Sequence, residues 1–480
     1  MNVSTSALPV AVIGAGPVGL AAAAHLIQRG FTPLILEAGR GVAANLESYR
    51  HVRLFSPWRY NIDRAARALL DEAGWHAPDP EVLPSAGDVI EQYLQPLAAV
   101  PGVAAALRLN HRVTRITRQG IDKVKTSGRE TAPFVIRIDT PEGEKEMQAR
   151  AVIDAAGTWS QPNPLGANGL PALGERSLGG HIRYGMPDIL GADRPRYAGK
   201  RVLVVGAGHS AAGNLLALAA LAEQAPGTSI VWAIRGNNLA KTFGGGAADG
   251  LPARGLVGVR LKDLKESGRL EVHLNFRVHE LGRDAAGILL RGEPVDGVVP
   301  TIARIDEIIG AAGARPDLDM TRELRLGLDA WLESTDMLAP LIDPNLHSCG
   351  TVRPHGHREL RHPEPGYYAV GAKSYGRAPN FLMATGYEQV RSIVAALAGD
   401  MAAADDVQLE LPETGVCSVQ FAVGDQVEKA QGACCGGPAP KSSDACCALD
   451  AEEKAKGAAG CGCGPARERP KSIEAATCCG

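Results

Sequence analysis

The chain has 480 residues, of which 45% are hydrophobic and 21% are charged, and its formal net charge at pH 7 is −3. This composition is typical of a globular protein long enough for two or three domains, and the small net charge offers no basic surface for a nucleic acid. No apolar run reaches the roughly 18 residues of a membrane-spanning helix, and no basic segment followed by an apolar run suggests a signal peptide. We therefore expect a cytoplasmic protein whose partners include neither a nucleic acid nor a membrane.

The N-terminal segment places a glycine-rich turn between an apolar strand and an alanine-rich helix that ends near Gly30. The turn reads Val10-Ala-Val-Ile-Gly14-Ala-Gly16-Pro-Val-Gly19. In such a turn the first glycine permits the sharp bend, the second lets the backbone approach a pyrophosphate, and the third lets the helix pack on the strand. The next predicted strand ends at Glu37, about 20 residues further on, where a carboxylate would hold the adenosine ribose.

The middle of the first unit alternates loop and strand patterns. His51–Asp63 is rich in turn residues. Apolar alternation predicts strands near His111–Arg118, Phe134–Thr140 and Lys145–Ala156, the last of which runs into a turn at Gly157.

A second glycine-rich turn follows, Arg201-Val-Leu-Val-Val-Gly206-Ala-Gly208-His-Ser-Ala211, and opens a predicted helix from Ser210 to Gln224. The strand after it, Ser229–Arg235, ends in a guanidinium rather than a carboxylate. A guanidinium there suits a 2′-phosphate and favours NADPH over NADH, although a merely solvated strand end is the alternative.

The remaining elements indicate that the second unit is an insertion. A strand from Glu307 runs into a turn at Gly313, a glycine-containing segment follows around Gly371, and a helix is predicted from Thr385 to Ala398. The predicted organisation is a first dinucleotide-binding domain formed by residues 1–175 and 346–402, a second dinucleotide-binding domain formed by 176–345, and a flexible tail formed by 403–480.

In this order, the two glycine turns, Glu37 and the turns at Gly157 and Gly371 resemble the two-dinucleotide flavoproteins. The resemblance implies an α/β fold with two Rossmann-like three-layer domains, the second inserted in the first, which bind FAD and NADPH respectively. The candidate cofactor-binding residues are Gly14, Gly16, Gly19, Glu37, Arg40, Val113, Gly157, Gly206, Gly208, Ser210, Arg235 and Gly371. No catalytic residue is predicted.

Within that class the chain resembles the class B flavin-dependent monooxygenases. Through Leu54–Trp58 and Lys373–Val390 it is also similar to the monooxygenase-like flavoproteins of bacterial arsenic-resistance operons. The signature expected before the second turn is present only in part, as Leu178-Gly-Gly-His181-Ile-Arg-Tyr184 with altered spacing. A flavin reductase or oxidase without oxygen transfer to substrate therefore remains an alternative.

The ten cysteines all follow residue 348, and neither dinucleotide unit contains a Cys-x₂-Cys or Cys-x₄-Cys pair. This disfavours the relay of electrons through a cysteine pair that thioredoxin and mercuric reductases use. Reduced flavin is expected to pass electrons to oxygen or directly to a substrate.

Eight cysteines fall in the last 48 residues, a glycine- and alanine-rich segment without aromatic residues, which we expect to be disordered. Close thiol pairs in a protein without an oxidising environment favour binding of a soft metal or metalloid over structural disulfides. The candidate metal-binding residues are Cys434, Cys435, Cys446, Cys447, Cys461, Cys463, Cys478 and Cys479. The predicted function is an FAD- and NADPH-dependent, monooxygenase-like enzyme of arsenic or heavy-metal resistance; a metalloid-binding protein with a regulatory flavin core is the alternative from another class.

Two weaker signals complete the prediction. Arg53, Lys373 and Arg377 are expected to contact phosphate or solvent; positioning of NADP or stabilisation of a peroxyflavin is the alternative. The histidines from His347 to His362 are expected to be loop residues near the flavin rather than metal ligands.

Overall fold

The computed structural model describes residues 7–244, 246, 249, 251–346, 352–379 and 382–409. In chain order its strands are β1 (Val10–Ile13), β2 (Pro33–Leu36), β3 (Leu107–Arg108), β4 (Arg112–Arg118), β5 (Phe134–Thr140), β6 (Gly143–Ala149), β7 (Ala151–Asp154), β8 (Ile182–Tyr184), β9 (Arg201–Val205), β10 (Ser229–Ala233), β11 (Leu270–His273), β12 (Val278–Asp284), β13 (Gly287–Gly292), β14 (Thr301–Ile305), β15 (Glu307–Gly310) and β16 (Tyr367–Ala369).

The α-helices are α1 (Pro17–Gln28), α2 (Ala44–Glu47), α3 (Arg64–Glu72), α4 (Ala86–Val89), α5 (Gln95–Ala99), α6 (Pro101–Ala106), α7 (Arg194–Tyr197), α8 (His209–Gln224), α9 (Ala240–Phe243), α10 (Pro252–Glu266), α11 (Ala339–Ile342), α12 (Met383–Leu397) and α13 (Met401–Asp405). A π-helical turn joins α4 to α5 at Ile90–Leu94, and 3₁₀ turns lie at Trp58–Tyr60, Gly179–His181, Asp319–Thr321 and Gly371–Tyr375. None of the described helices combines the length and the apolar character that crossing a membrane requires.

Two five-stranded parallel sheets organise the described chain. The first has the strand order β16-β7-β1-β2-β3, and the second has the order β11-β10-β9-β15-β8. The second sheet is built from residues that lie between β7 and β16, so it interrupts the first sheet in sequence. The predicted limits of the two domains and the predicted start of the tail at residue 403 remain predictions. Helix α13 continues past residue 402 to Asp405.

Each parallel sheet is buried on both faces, because successive side chains of a strand point to opposite faces and each face packs against another layer. In the first sheet, Val10 and Val12 face a core formed with α1 and α12, while Ala11 and Ile13 face the antiparallel sheet β4-β5-β6. The second sheet repeats this arrangement between α8 and α10 on one side and the antiparallel sheet β12-β13-β14 on the other. The predicted fold class, two Rossmann-like three-layer domains, is confirmed.

One predicted strand is wrong in its extent. The segment Lys145–Ala156 forms two strands rather than one, because β6 belongs to the antiparallel sheet and β7 to the parallel sheet. The strands differ in environment: β6 is largely exposed, whereas every residue of β7 is buried. The continuous strand pattern conceals this change of sheet at Arg150.

Candidate functional site

The first glycine turn is shaped by close backbone contacts. Gly14 has φ +92°, and a Cβ added there would lie 2.9 Å from the carbonyl oxygen of Ala155. A Cβ on Gly19 would lie 2.0 Å from the carbonyl oxygen of Gly14, so α1 packs directly on the turn that precedes it. These two contacts require glycine for steric reasons and fix the direction in which α1 begins.

Gly16 has the opposite environment. It is the N-cap of α1, no side chain caps the helix, and no atom lies within 4 Å of the position its Cβ would take. The first backbone N–H groups of a helix have no partner within the helix, and they attract anions. The open space before α1 therefore fits a pyrophosphate.

Glu37 braces the same turn from the end of β2. The residue is 7% exposed, its Oε2 accepts a hydrogen bond from the Ala15 amide at 2.7 Å, and its Oε1 accepts one from the Gly39 amide at 2.7 Å. Each carboxylate oxygen can accept a further hydrogen bond, so Glu37 retains capacity for ribose hydroxyls. Arg40, in the loop beyond, is exposed.

Two further predicted residues converge on the beginning of α1. Gly157 lies two residues after Ala155, whose carbonyl oxygen lies against the Cβ position of Gly14. Gly371 follows β16; its amide donates to Gln389 Oε1 at 2.7 Å, and its Cβ position lies 3.2 Å from Val18 in the first turn of α1. The structure thus brings these segments together at the carboxyl edge of the first sheet.

Val113 is placed differently from the other candidates. Its side chain is 9% exposed and belongs to the apolar core between β4 and the first parallel sheet. Any contact of Val113 with a bound dinucleotide would therefore come from its backbone.

The second glycine turn has the same construction at the start of α8. Gly206 has φ +138°, and its Cβ would lie 2.2 Å from the carbonyl oxygen of Ala311. Gly208 is the N-cap of α8 without a side-chain cap, and the space around its Cβ position is open. Ser210 lies in the first turn of α8 and is partly buried, whereas Ala211 is fully buried.

Arg235 is exposed just beyond β10. The Gly206 amide donates to the carbonyl oxygen of Ala233 at 3.2 Å, which ties the end of β10 to the second turn. Arg235 therefore follows, by two residues, a strand end that is hydrogen-bonded to the turn, and its contact with a 2′-phosphate stays a prediction.

The prediction for Lys373 is wrong. Lys373 is 2% exposed, and its Nζ lies 2.6 Å from Oδ2 of Asp154, a fully buried residue at the end of β7. The Tyr367 hydroxyl donates to the same oxygen at 2.9 Å. The only sequence signal for this cluster is an aspartate within an apolar strand and a lysine between apolar segments.

The other two cations, Arg53 and Arg377, are exposed, which agrees with the predicted contact with solvent, and each also bonds within the protein. Arg53 donates to the carbonyl oxygen of Leu83 at 3.1 Å, and Arg377 forms an ion pair with Glu333 at 3.0 Å.

The two units touch beside the two glycine turns. Phe55 of the first unit and His209 at the start of α8 have ring centroids 5.4 Å apart. Trp159 packs on Tyr49 with ring centroids 4.5 Å apart and lies against Gly185, which follows β8. The segment Leu54–Trp58 therefore contributes to the junction between the two candidate dinucleotide sites, a role that the sequence pattern did not reveal.

Of the histidines from His347 to His362, His347 lies outside the described residues, and the other three have structural partners. Gln389 Nε2 lies 2.9 Å from His355 Nε2, and His357 pairs with Asp405 at 2.9 Å. Burial lowers the pKa of His362 to about 4, and a hydrogen bond with the Gly327 backbone only partly opposes this shift. Within the described ranges, no group of three or more His, Cys, Asp or Glu side chains is arranged to hold a metal ion.

All the predicted thiol ligands lie outside the described residues, as do Cys349 and Cys417. These predicted ligands are Cys434, Cys435, Cys446, Cys447, Cys461, Cys463, Cys478 and Cys479. Their role remains a prediction.

Comparison with known proteins agrees with this architecture. A family model described as pyridine nucleotide-disulphide oxidoreductase matches residues 11–335. The chain matches none of the curated proteins at a significant level.

Several solved structures share the fold. The bacillithiol disulfide reductase of Bacillus cereus is 17% identical, with a TM-score of 0.60 over 82% of this chain and 99% of that chain. The FAD-bound cadaverine monooxygenase of desferrioxamine biosynthesis from Erwinia amylovora is 14% identical, with a TM-score of 0.57 over 88% and 99%. A flavin-containing monooxygenase from Stenotrophomonas maltophilia is 20% identical, with a TM-score of 0.50 over 82% and 98%.

Proposed function

The chain belongs to the pyridine nucleotide-disulphide oxidoreductase family, and from this premise we propose that it is an FAD- and NADPH-dependent, monooxygenase-like enzyme that acts on a trivalent arsenical. In this proposal FAD binds at the first glycine turn and NADPH at the second. The observation that carries the proposal is the pair of uncapped helix N-termini, at Gly16 and Gly208, each facing open space at the carboxyl edge of a parallel sheet.

Different residues around each turn bind different parts of the dinucleotide. In the first site the N-terminus of α1 faces the pyrophosphate, and Glu37 holds the ribose while it keeps the turn in shape. In the second site the N-terminus of α8 takes the pyrophosphate, and Arg235 takes the 2′-phosphate. FAD, when bound, supplies hydride acceptance from NADPH and the reaction with oxygen.

The distribution of cysteines supports transfer to a diffusible acceptor. No cysteine lies among the described residues, so that part of the chain contains no thiol pair to relay electrons. A monooxygenase outcome balances as NADPH, a proton, oxygen and arsenite giving NADP⁺, water and arsenate.

The choice of a trivalent arsenical rests on soft-ligand chemistry. Thiolates select soft, thiophilic ions, and the four close cysteine pairs beyond residue 430 supply such ligands. We infer that the tail captures the arsenical and raises its concentration near the flavin, as a tethered binding module does.

The decisive experiment measures NADPH consumption, oxygen uptake, arsenate and hydrogen peroxide together with the full-length FAD protein, with and without arsenite. The proposal predicts one arsenate formed per NADPH and little peroxide. Peroxide formed one per NADPH, with no effect of arsenite on rate or products, would exclude oxygen transfer to the arsenical and indicate an oxidase.

The tail is tested by comparing the full chain with a chain that lacks residues 417–480. We expect the shortened protein to keep its FAD while losing most of its affinity for arsenite and requiring more arsenite for half-maximal turnover. A full-length chain with serine at the eight paired cysteines should behave like the shortened one, which separates the thiols from the length of the tail. Unchanged affinity and turnover in both variants would refute the role of the tail.

A second candidate is an NADPH-dependent reductase without oxygen transfer. It is favoured by the description of the family and by the similarity to a bacillithiol disulfide reductase. Anaerobic NADPH oxidation in the presence of a small thiol disulfide would support this candidate, and no turnover without oxygen would exclude it.

A further inference from the structure

We propose that the buried ion pair of Lys373 and Asp154 positions the two protein segments that enclose the first dinucleotide, which makes Lys373 a positioning residue for FAD. This inference rests on the proposed function, because that function assigns FAD to the first glycine turn.

The carboxylate of Asp154 has three hydrogen-bond partners in the structure. Its Oδ2 is 2.6 Å from Lys373 Nζ and accepts a hydrogen bond from the Tyr367 hydroxyl at 2.9 Å, and its Oδ1 accepts one from the Ala156 amide at 3.1 Å. Burial raises the pKa of Tyr367 well above its ordinary value, so that hydroxyl remains a donor. The three donors hold the carboxylate in one position.

The ion pair joins two segments that both abut the first glycine turn. On one side, Asp154 immediately precedes Ala155, whose carbonyl oxygen limits the space at Gly14. On the other side, Lys373 lies in the same 3₁₀ turn as Gly371, which rests against Val18 at the beginning of α1. Breaking the ion pair would therefore shift the Ala155 turn, which borders the first site, relative to the 3₁₀ turn that contains Gly371.

The second unit shows that the turn itself does not need a carboxylate. Its last strand, β15, ends with Gly310 where β7 ends with Asp154, and both strands run into an Ala-Ala-Gly sequence. The Ala311 amide donates to Val205 at 2.8 Å, as the Ala155 amide donates to Ile13 at 2.9 Å. The same backbone arrangement thus forms with glycine, and the ion pair is an addition confined to the first unit.

Electrostatics and stability support a role in the site. A buried ion pair contributes little net stability, because desolvation of both charges offsets their attraction. An uncompensated carboxylate at this edge of the sheet would repel the pyrophosphate of a dinucleotide, and Lys373 neutralises it. Both arguments connect the pair to ligand binding more directly than to folding.

The test measures the FAD dissociation constant, the midpoint potential of the bound flavin and the NADPH dissociation constant in full-length variants. We expect Lys373→Met and Asp154→Asn each to weaken FAD binding at least tenfold and to shift the potential, while NADPH binding stays unchanged. Lys373→Arg, which keeps the positive charge that neutralises Asp154, should lose less FAD affinity than Lys373→Met.

Arg118→Met is the control for the loss of a buried cation in the same unit, because Arg118 forms a buried ion pair with Glu364, which Arg129 also contacts. It should lower the melting temperature of the protein without changing the FAD dissociation constant or the potential. If Lys373→Met does not fold, Tyr367→Phe removes one donor to Asp154 without removing a charge, and a two- to fivefold loss of FAD affinity is expected.

The outcomes are separable. Wild-type protein that binds no FAD would refute the proposed function itself. If wild type binds FAD but Lys373→Met has an unchanged dissociation constant and potential, the positioning role alone is overturned. The same result in Tyr367→Phe has the same meaning if Lys373→Met does not fold. An equal loss of FAD affinity in Arg118→Met would also overturn it, because the effect would then follow from general destabilisation.

Discussion

The two dinucleotide units have the same backbone construction but differ in chemistry at three places. The third position of the turn is Gly19 in the first unit and Ala211 in the second. The strand after the first helix is followed by Glu37 in one unit, whereas Arg235 lies just beyond it in the other. The last strand ends with Asp154 in one and with Gly310 in the other.

This difference separates what forms the turn from what selects the ligand. Gly14 and Gly206 both have positive φ angles and both lie against a backbone carbonyl of an Ala-Ala-Gly turn. The shared contacts explain the shared shape. The side chains that differ lie around that shape, and they are where discrimination between two dinucleotides can arise.

The largest expected effect comes from exchanging the third turn residue. Gly19→Ala places a methyl group 2.0 Å from the Gly14 carbonyl oxygen, so we expect it to destabilise the first unit by more than about 3 kcal/mol and to abolish FAD retention. Ala211→Gly should cost only about 1 kcal/mol, from helix propensity and a small cavity. Urea unfolding and flavin release measure both. Equal effects of the two variants would contradict the steric difference between the turns.

A second prediction concerns pH and the first unit. Burial lowers the pKa of His362 to about 4, below the ordinary value of 6.5, so between pH 6.5 and 4 the unfolded chain binds a proton that the folded chain does not. Stability should therefore fall as pH decreases through this range, by up to about 3 kcal/mol. His362→Leu should flatten this dependence. Hydrogen exchange in β1 and β9 would show whether the loss begins in the first unit, and an unaltered pH profile in the variant would refute the assignment.

A third prediction concerns Glu37. In the wild type, the amides of Ala15 and Gly39 each donate to one carboxylate oxygen of Glu37. Glu37→Gln keeps the size of the side chain but leaves only one acceptor oxygen for the two amides. We expect about a tenfold loss of FAD affinity and no change for NADPH, because charge-assisted hydrogen bonds contribute about 1.5–3 kcal/mol. Titration of the apoprotein with each dinucleotide measures this. A parallel loss of NADPH affinity would indicate a general disturbance instead.

The smallest expected effect concerns Arg235. Arg235→Ser should raise the NADPH dissociation constant about fivefold and leave that of NADH unchanged, because an exposed cation contributes roughly 1 kcal/mol to phosphate binding. Arg235→Lys should fall between wild type and the serine variant. If NADPH and NADH bind with the same affinity in wild type, the preference for NADPH is wrong.

Local patterns predicted the parts of the fold that depend on neighbours in sequence. The turn at Gly14, the end of α1 near Gly30 and the strand before Glu37 all follow from short-range spacing and are present in the structure. The same holds for the second turn at Gly206 and for α8.

Long-range contacts could not be predicted in this way. Lys373 and Asp154 are 219 residues apart, and nothing in either local pattern identifies the other as its partner. The contact of Phe55 with His209 joins two different units. The division between β6 and β7 also escaped prediction, because an extended backbone looks the same in sequence whichever sheet it joins.

The insertion of one sheet within another sets an order of biosynthesis. Strand β16 is an edge of the first sheet, yet it emerges from the ribosome about 210 residues after its neighbour β7, a delay of roughly 10–40 s at ordinary synthesis rates. All strands of the second sheet are made within that interval. The strands of the second unit can therefore pair before β16 is synthesised. During that interval Asp154 has no Lys373 to neutralise its charge.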